Sequence, residues 1–377
     1  ECKGELTGYR RKPEDIQIVG SNDPNDENLT RDYLVFGMSH GGAAFALSHS
    51  KRRAIWSLSA LGKGLGPDGE GEFHVKNFVG VAAPCVCVHG EVDREGWRNT
   101  SNDCVVFATL AGVVVAVSLD VVFKCAAPEY WEKKPKDAVR WAVGAHWSDF
   151  EDGGDFVPVF SSPVFLKHTG IVAVANVDGV IEGFPTEHGF GGRPEDPHAA
   201  HAWKIETGAP IYAPLASMEE FGNGFSVRNM LIVATAHGSL IGYLCDDGEG
   251  SEDHYGYADN PYEDYSDGGY HTFEDPDEIW RVQRKGRIRA AAAFLAPGYE
   301  NHLLMDIVAA WDTGEVGVVT FDEGGVAKLR AIETLPAAVF SSPAPIAFRG
   351  GDRFVERIYI GCRDDKLHAL EVPDRKE

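Results

Sequence analysis

Six short stretches of the chain repeat one pattern of apolar and polar positions: Phe36 to Leu47, Phe107 to Val117, Val174 to Phe184, Val233 to Tyr243, Ala309 to Val319 and Ile360 to Leu370. Each opens on an apolar run ending in a small residue, namely Gly37, Ala108, Ala175, Ala234, Ala310 and Gly361. Four positions later stands a turn residue: Gly41, Gly112, Gly179, Gly238, Gly314 and Asp365. Apolar residues then fall on alternate positions, the period of a half-buried strand. Two such runs around a compact glycine-bearing turn predict a β-hairpin.

A second block recurs between the hairpins. A Trp or other apolar residue opens a predicted strand, a turn follows, and a small-small-Pro element leads into the next strand. The fullest copy runs from Trp203 through Thr207-Gly208 to Ala213-Pro214. Others run from Trp141 to Phe160-Ser-Ser-Pro163, from Trp280 to Arg289-Ala-Ala-Ala292, from Leu329 to Phe340-Ser-Ser-Pro343 and from Trp56 to Ala82-Ala-Pro84. Hairpin and block together make four strands, at turn-to-turn spacings of 51 to 76 residues. That is the size of a propeller blade, whereas solenoid units are usually shorter and lack two hairpins each. The expected fold is therefore all-β: a β-propeller of four-stranded blades with six recognisable repeats over residues 33–373. The alternative is an incomplete part of a seven- or eight-bladed ring. Residues 1–32 must supply the strands missing before the first hairpin, with Asp15 to Val19 as the strand-like run, and 374–377 form a tail.

The Trp block, the Thr-Gly turn, Phe-Ser-Ser-Pro and the Gly-turn hairpin resemble the quinoprotein-type, PQQ-like repeat. Glu333 to Pro343 continued by Ile360-Gly-Cys-Arg-Asp364, and Phe107-Ala-Thr-Leu-Ala-Gly112, more closely resemble the C-terminal propeller of the β-alanine-activating enzyme family. That acyl-CoA-synthetase-like family is also called aminoadipate-semialdehyde dehydrogenase. In it an adenylation domain and a phosphopantetheine carrier domain precede the propeller. The resemblance spans Tyr33 to Val372 and brings no ATP, aminoacyl or phosphopantetheine chemistry onto this chain, and Glu1 is expected to be a cut in a longer polypeptide. It implies a non-catalytic scaffold or interaction domain, the accessory part of an amino-acid-activating enzyme, whose partners are proteins or neighbouring domains of the same polypeptide. Two alternatives belong to other classes: a PQQ-dependent oxidoreductase, and an assembly-scaffold propeller of the outer-membrane type.

Quinone dehydrogenases on this fold hold the cofactor over a Trp beside Ca²⁺, often under a disulfide between adjacent cysteines. No Cys-Cys pair occurs among the seven cysteines. Cys85 and Cys87, alternating along a predicted strand, are expected to face opposite sides and not to join. Neither PQQ nor Ca²⁺ is expected as a cofactor, and the Trp residues are read as packing residues.

Composition changes the picture in three ways. The chain carries 35 basic and 58 acidic side chains, a net charge of −23, so its average field repels nucleic acid and anionic membranes. An odd number of scattered cysteines and no secretory signal point to reduced thiols and a cytoplasmic setting. Val105 to Phe123 has one charge, Asp120, and could pass for a membrane span, but Gly112 splits it into two β-branched runs.

Candidate chemistry is sparse. His188, Glu195, Asp196, His198 and His201 cluster in a Gly- and Pro-rich stretch expected to be a solvated loop rather than a rigid metal site. Gly62-Lys-Gly64-Leu-Gly66 lacks the strand and helix that give a phosphate loop meaning and is expected to be a loop. Ser48-His-Ser-Lys51 matches a catalytic spacing only by chance. Asp246 to Glu278 is acidic, with no Lys or Arg, and is expected to be a disordered insertion. Its Asp253, Tyr255, Tyr257, Tyr262, Asp264 and Tyr265 form the expected partner-binding loop, suited to a basic protein. No catalytic residue stands out.

Overall fold

The computed structural model describes residues 7–10, 33–39, 42–48, 52–59, 63–65, 72–74, 79–89, 103–125, 138–144, 157–167, 169–186, 202–221, 227–245, 275–295, 306–321, 326–350 and 353–372. Most of them lie in antiparallel sheets made of strands consecutive in sequence. The first sheet joins β1 (Thr7–Arg10), β2 (Tyr33–Met38), β3 (Ala44–Ser48) and β4 (Arg53–Leu58). A small pair follows, β5 (Lys63–Leu65) with β6 (Glu72–His74). The second four-stranded sheet joins β7 (Cys85–Cys87), β8 (Cys104–Ala108), β9 (Val113–Ser118) and β10 (Val139–Gly144). The third joins β11 (Val164–Leu166), β12 (Ile171–Ala175), β13 (Val180–Pro185) and β14 (Trp203–Glu206). The fourth joins β15 (Ala216–Phe221), β16 (Val227–Ala234), β17 (Ser239–Cys245) and β18 (Asp277–Gln283). The fifth joins β19 (Ala293–Phe294), β20 (Ile307–Ala310), β21 (Glu315–Phe321) and β22 (Ala327–Thr334). A three-stranded sheet of β23 (Ala344–Gly350), β24 (Arg353–Cys362) and β25 (Lys366–Glu371) ends the series. Recurrent up-and-down sheets of four strands are propeller blades, and the fold is of that class.

The second and third strands of each sheet are the six predicted hairpins. Their turns share one geometry. In the second sheet the Gly112 N–H donates to the Thr109 carbonyl at 3.0 Å and the Thr109 N–H to the Val113 carbonyl at 2.9 Å. That is a type I turn closed by a left-handed residue, and Gly112, Gly179, Gly238, Gly314 and Asp365 all have positive φ. The first hairpin differs from expectation by one residue. Its left-handed glycine is Gly42, at φ 87°, not Gly41, because Ser39 occupies the place of Thr109.

Each Trp opening a predicted strand lies on a fourth strand, and three of the four face a small residue on the third. Trp56 pairs with Ala46, Trp141 with Ala116 and Trp280 with Gly242. A Cβ on Gly242 would overlap the Trp280 ring, so the small residue makes room for the indole. The indoles then reach an aromatic of the following sheet: Trp56 to Phe107 and Trp141 to Phe184 at 6.1 Å, Trp280 to Phe321 at 5.7 Å. Burying such pairs is how neighbouring blades adhere.

The chain divides into two compact units, Glu1–Asn176 with Glu182–Ala202, and Val177–Ile181 with Trp203–Glu377. The first has cores around Phe36, Trp56 and Phe107 and around Trp141, Val174 and Phe184. In the second the cores gather around Met230, Trp280 and Trp311 and around Val318, Ile358 and Ile360.

One expectation gains an unforeseen helix and three need correction. The apolar run Val105 to Phe123 is β8, β9 and the start of helix α1 (Leu119–Cys125), whose first turn the Ser118 Oγ caps by accepting the Val121 N–H at 3.4 Å. No helix among the described residues is long and apolar enough to cross a membrane. Lys63 to Leu65, read as a loop, is a strand paired with Glu72 to His74. Asp277 and Glu278, read as the end of the acidic insertion, belong to β18 and pair with Leu244 and Tyr243. Cys85 and Cys87, expected on opposite sides, lie on one side, as residues two apart on a strand must. Cys87 sits opposite Cys104 in register, and both Cys85 and Cys104 interact with its thiol. The strand completing the first sheet is Thr7–Arg10, while Asp15 to Val19 lie outside the described residues.

Candidate functional site

The linkers between sheets are built as regularly as the strands. In four of them a carbonyl accepts an N–H from the following hairpin turn: Val79 from Leu110, Pro210 from Ala236, Arg287 from Asp312 and Ala338 from Arg363, at 2.8 to 3.0 Å. These bonds fix the linker against the turn. Two residues beyond each acceptor stand Val81, Tyr212, Arg289 and Phe340, and all four are exposed. The next residue turns inward: Ala82, Ala213 and Ala290 are buried and Ser341 half-buried. Phe160 holds the same place in its Phe-Ser-Ser-Pro element. Val81, Phe160, Tyr212 and Phe340 are 42%, 39%, 40% and 40% exposed, too much for core residues of their size.

The small-small-Pro signature thus has two parts with different duties. Its serines are structural, since Ser161 Oγ donates to the Ala175 carbonyl at 2.7 Å and Ser341 Oγ to the Gly361 carbonyl at 2.9 Å. The residue before them, Phe160 or Phe340, is exposed beside that anchor.

In the second unit this edge is positively charged. The linker from β18 to β19 carries Arg284, Lys285, Arg287 and Arg289, all exposed, and the last hairpin turn adds Arg363. The Arg289 guanidinium lies 5.1 Å from the centre of the Phe340 ring and that of Arg363 lies 4.7 Å from it. Two cations on one exposed ring make a mixed apolar and positive surface. Arg284 pairs with Glu315 at 3.0 Å and Arg289 with Asp312 at 3.7 Å, while Asp312 Oδ1 also accepts the Arg287 N–H at 2.7 Å. Among the described residues no carboxylate pairs with the side chains of Lys285, Arg287 or Arg363.

The site residues expected from sequence fall elsewhere. Asp253, Tyr255, Tyr257, Tyr262, Asp264 and Tyr265 lie outside the described residues, as do His188, Glu195, Asp196, His198 and His201. Ser48 ends β3, and the rest of its Ser-x-x-Lys match lies outside the described residues. Sequence reasoning found Phe340, Arg289 and Arg363 as parts of motifs but missed the basic surface they form, whose signal was the run Arg284-Lys-Gly-Arg287-Ile-Arg289 in a strongly acidic chain.

No family model matches the chain, and no curated protein does. Among solved structures it is similar to a chain of a mitotic checkpoint complex, at 8% identity and a TM-score of 0.46 over 91% of this chain and 74% of that one. It is similar to BBS1N from a complex with ARL6DN, at 10% identity and a TM-score of 0.43 over 91% and 76%. A third is Sqt1 of Saccharomyces cerevisiae, at 13% identity and a TM-score of 0.46 over 91% and 69%. At these values nothing about what those proteins bind passes to this chain, and the propeller assignment rests on its own sheets.

Proposed function

We propose that this chain is a non-catalytic protein-binding propeller whose second unit takes an acidic, extended segment of a partner on its linker edge. The observation that carries this is the stack of Arg289, Phe340 and Arg363 beside Lys285 and Arg287. In a chain of net charge −23 such a patch reverses the local sign and selects a ligand that the rest of the surface repels. Guanidinium groups bind carboxylates in a two-pronged geometry, and the exposed ring offers apolar area for a neighbouring side chain. A fluorescent peptide carrying several Glu residues and one Leu tests the reading. It should bind saturably and more weakly as salt rises, and each of Phe340→Ala and Arg363→Glu should cost roughly fivefold, about 1 kcal/mol. Equal binding to wild type and both variants would overturn it.

The parent polypeptide is proposed on sequence resemblance alone to be an adenylate-forming, amino-acid-activating enzyme of the β-alanine-activating type. An adenylation and carrier segment encoded ahead of Glu1 would support this; unrelated sequence there would remove it. Tight binding of PQQ with Ca²⁺ and dye-linked alcohol oxidation would instead favour the oxidoreductase.

A further inference from the structure

The tip of the last hairpin gathers three chemically different donors. Cys362 ends β24, Asp364 lies in the turn and His368 is on β25. In the strand register Cys362 faces Lys366 and Ile360 faces His368, so the side chains at 360, 362, 366 and 368 share one face. The Cys362 Sγ, an Asp364 carboxylate oxygen and a ring nitrogen of His368 lie within 4.8 Å of one another. His368 Nε2 is 3.0 Å from Asp364 Oδ2 and 3.2 Å from Oδ1. Zinc takes thiolate, imidazole and carboxylate at about 2.0 to 2.3 Å, so the edges of its tetrahedron are roughly 3.3 to 3.8 Å, and donors already within 4.8 Å of one another reach them by small side-chain adjustments.

We propose that this hairpin tip binds a divalent cation of the zinc class through Cys362 Sγ, Asp364 and His368 Nε2, with a water in the fourth position. The chemistry favours a borderline-soft ion, because magnesium and calcium take oxygen donors and would leave the sulfur unused. The frame beneath the donors is fixed. The Gly361 N–H donates to Ser341 Oγ at 2.9 Å, that hydroxyl donates to the Gly361 carbonyl at 2.9 Å, and the Arg363 N–H donates to the Ala338 carbonyl at 3.0 Å. The Lys366 N–H donates to Asp364 Oδ1 at 3.2 Å and so orients the carboxylate. The side chains of Asp364 and His368 are 15% and 22% exposed, open enough for an ion to enter yet mostly shielded from water. Two interactions oppose binding. The Cys362 thiol donates to the Ala337 carbonyl at 3.2 Å, and the Lys366 ammonium lies 3.9 Å from Asp364 Oδ2. On binding, the thiol releases its proton to solvent, the sulfur–metal bond forms, and the ion replaces Lys366 as counter-charge to the carboxylate.

Cobalt(II) is the probe, added to the full chain after removal of metal by chelation. Binding should give a near-ultraviolet sulfur-to-cobalt charge-transfer band and tetrahedral visible bands, both abolished by adding Zn²⁺. Cys362→Ser should remove the charge-transfer band, and His368→Ala should weaken cobalt binding at least tenfold. Lys366→Ala, which removes the competing cation and no donor, should strengthen it. A variant with Ser at Cys85, Cys87 and Cys104 should keep the signal. Absence of a charge-transfer band in the wild type, or a band that survives Cys362→Ser, overturns the site. If Cys362→Ser fails to fold, unchanged affinity in both His368→Ala and Lys366→Ala does so.

Discussion

At the scale of single residues, two glycines with similar backbones carry different burdens. Gly208 has φ +73°, and a Cβ there would meet nothing within 4 Å. Gly238 has φ +83°, and a Cβ there would overlap the carbonyls of Arg284 and Gly286. Replacing Gly208 by Ala should therefore cost only the left-handed backbone penalty, about 1 kcal/mol. Gly238→Ala should cost that and the displacement of the linker, on the order of 3 kcal/mol. Urea midpoints for the two variants compare them directly, and equal losses would show that the overlap at Gly238 relaxes freely. Cys87 supplies a chemical test at the same scale. Burial pushes its thiol well above the usual range, and the adjacent Cys104 and Cys85 reinforce the shift. Only thiolate reacts readily, so Cys87 should resist maleimide in the native protein and label once urea unfolds it. Native labelling at Cys87 would contradict the packing described.

Between elements, adhesion depends on indoles and turn carbonyls. The Trp311 Nε1–H donates to the Gly238 carbonyl at 3.0 Å, and that carbonyl also accepts the Arg284 N–H at 3.1 Å. Trp311 thus ties the fifth sheet to the turn of the fourth. Trp311→Phe should lose that bond and part of the buried volume, about 2 kcal/mol in thermal or urea unfolding, while leaving the circular dichroism of the sheets intact. Much at this scale was legible in the sequence, because turn glycines and alternating apolar runs obey local rules. All six hairpins were readable, and each Trp strand fell where the pattern put it. The miss at Gly41 against Gly42 arose because two adjacent glycines are equally able to turn left-handed, and only the hydrogen bonds of Ser39 choose between them. Helix α1 was hidden because Val121, Val122 and Phe123 read as strand formers, and the Ser118 cap with the Asp120–Lys124 ion pair at 2.6 Å outweighs that preference. The charged edge was legible only as the basic run Arg284 to Arg289, and its assembly around Phe340 was not. Arg289 and Arg363 are 74 positions apart, and nothing local says that one phenyl ring brings them together.

For the whole molecule, charge makes two predictions of opposite sign. A net charge of −23 repels itself, so raising salt from low to physiological strength should raise the unfolding temperature. The same salt should weaken capture of the acidic peptide, because that attraction is exposed and screened over roughly 8 Å. A shift of both quantities in one direction would mean that the basic linker is not where the peptide binds. The linkers carry a wider consequence. At each of them an inward small residue holds the sheet, while its outward neighbour is Val81, Phe160, Tyr212, Arg289 or Phe340, apolar, aromatic or cationic. Under the proposed function, recognition and folding are written in adjacent letters of a repeating word. The outward letter can be respelled one linker at a time, so a lineage of such chains can change partners by drift at five positions without relearning how to fold.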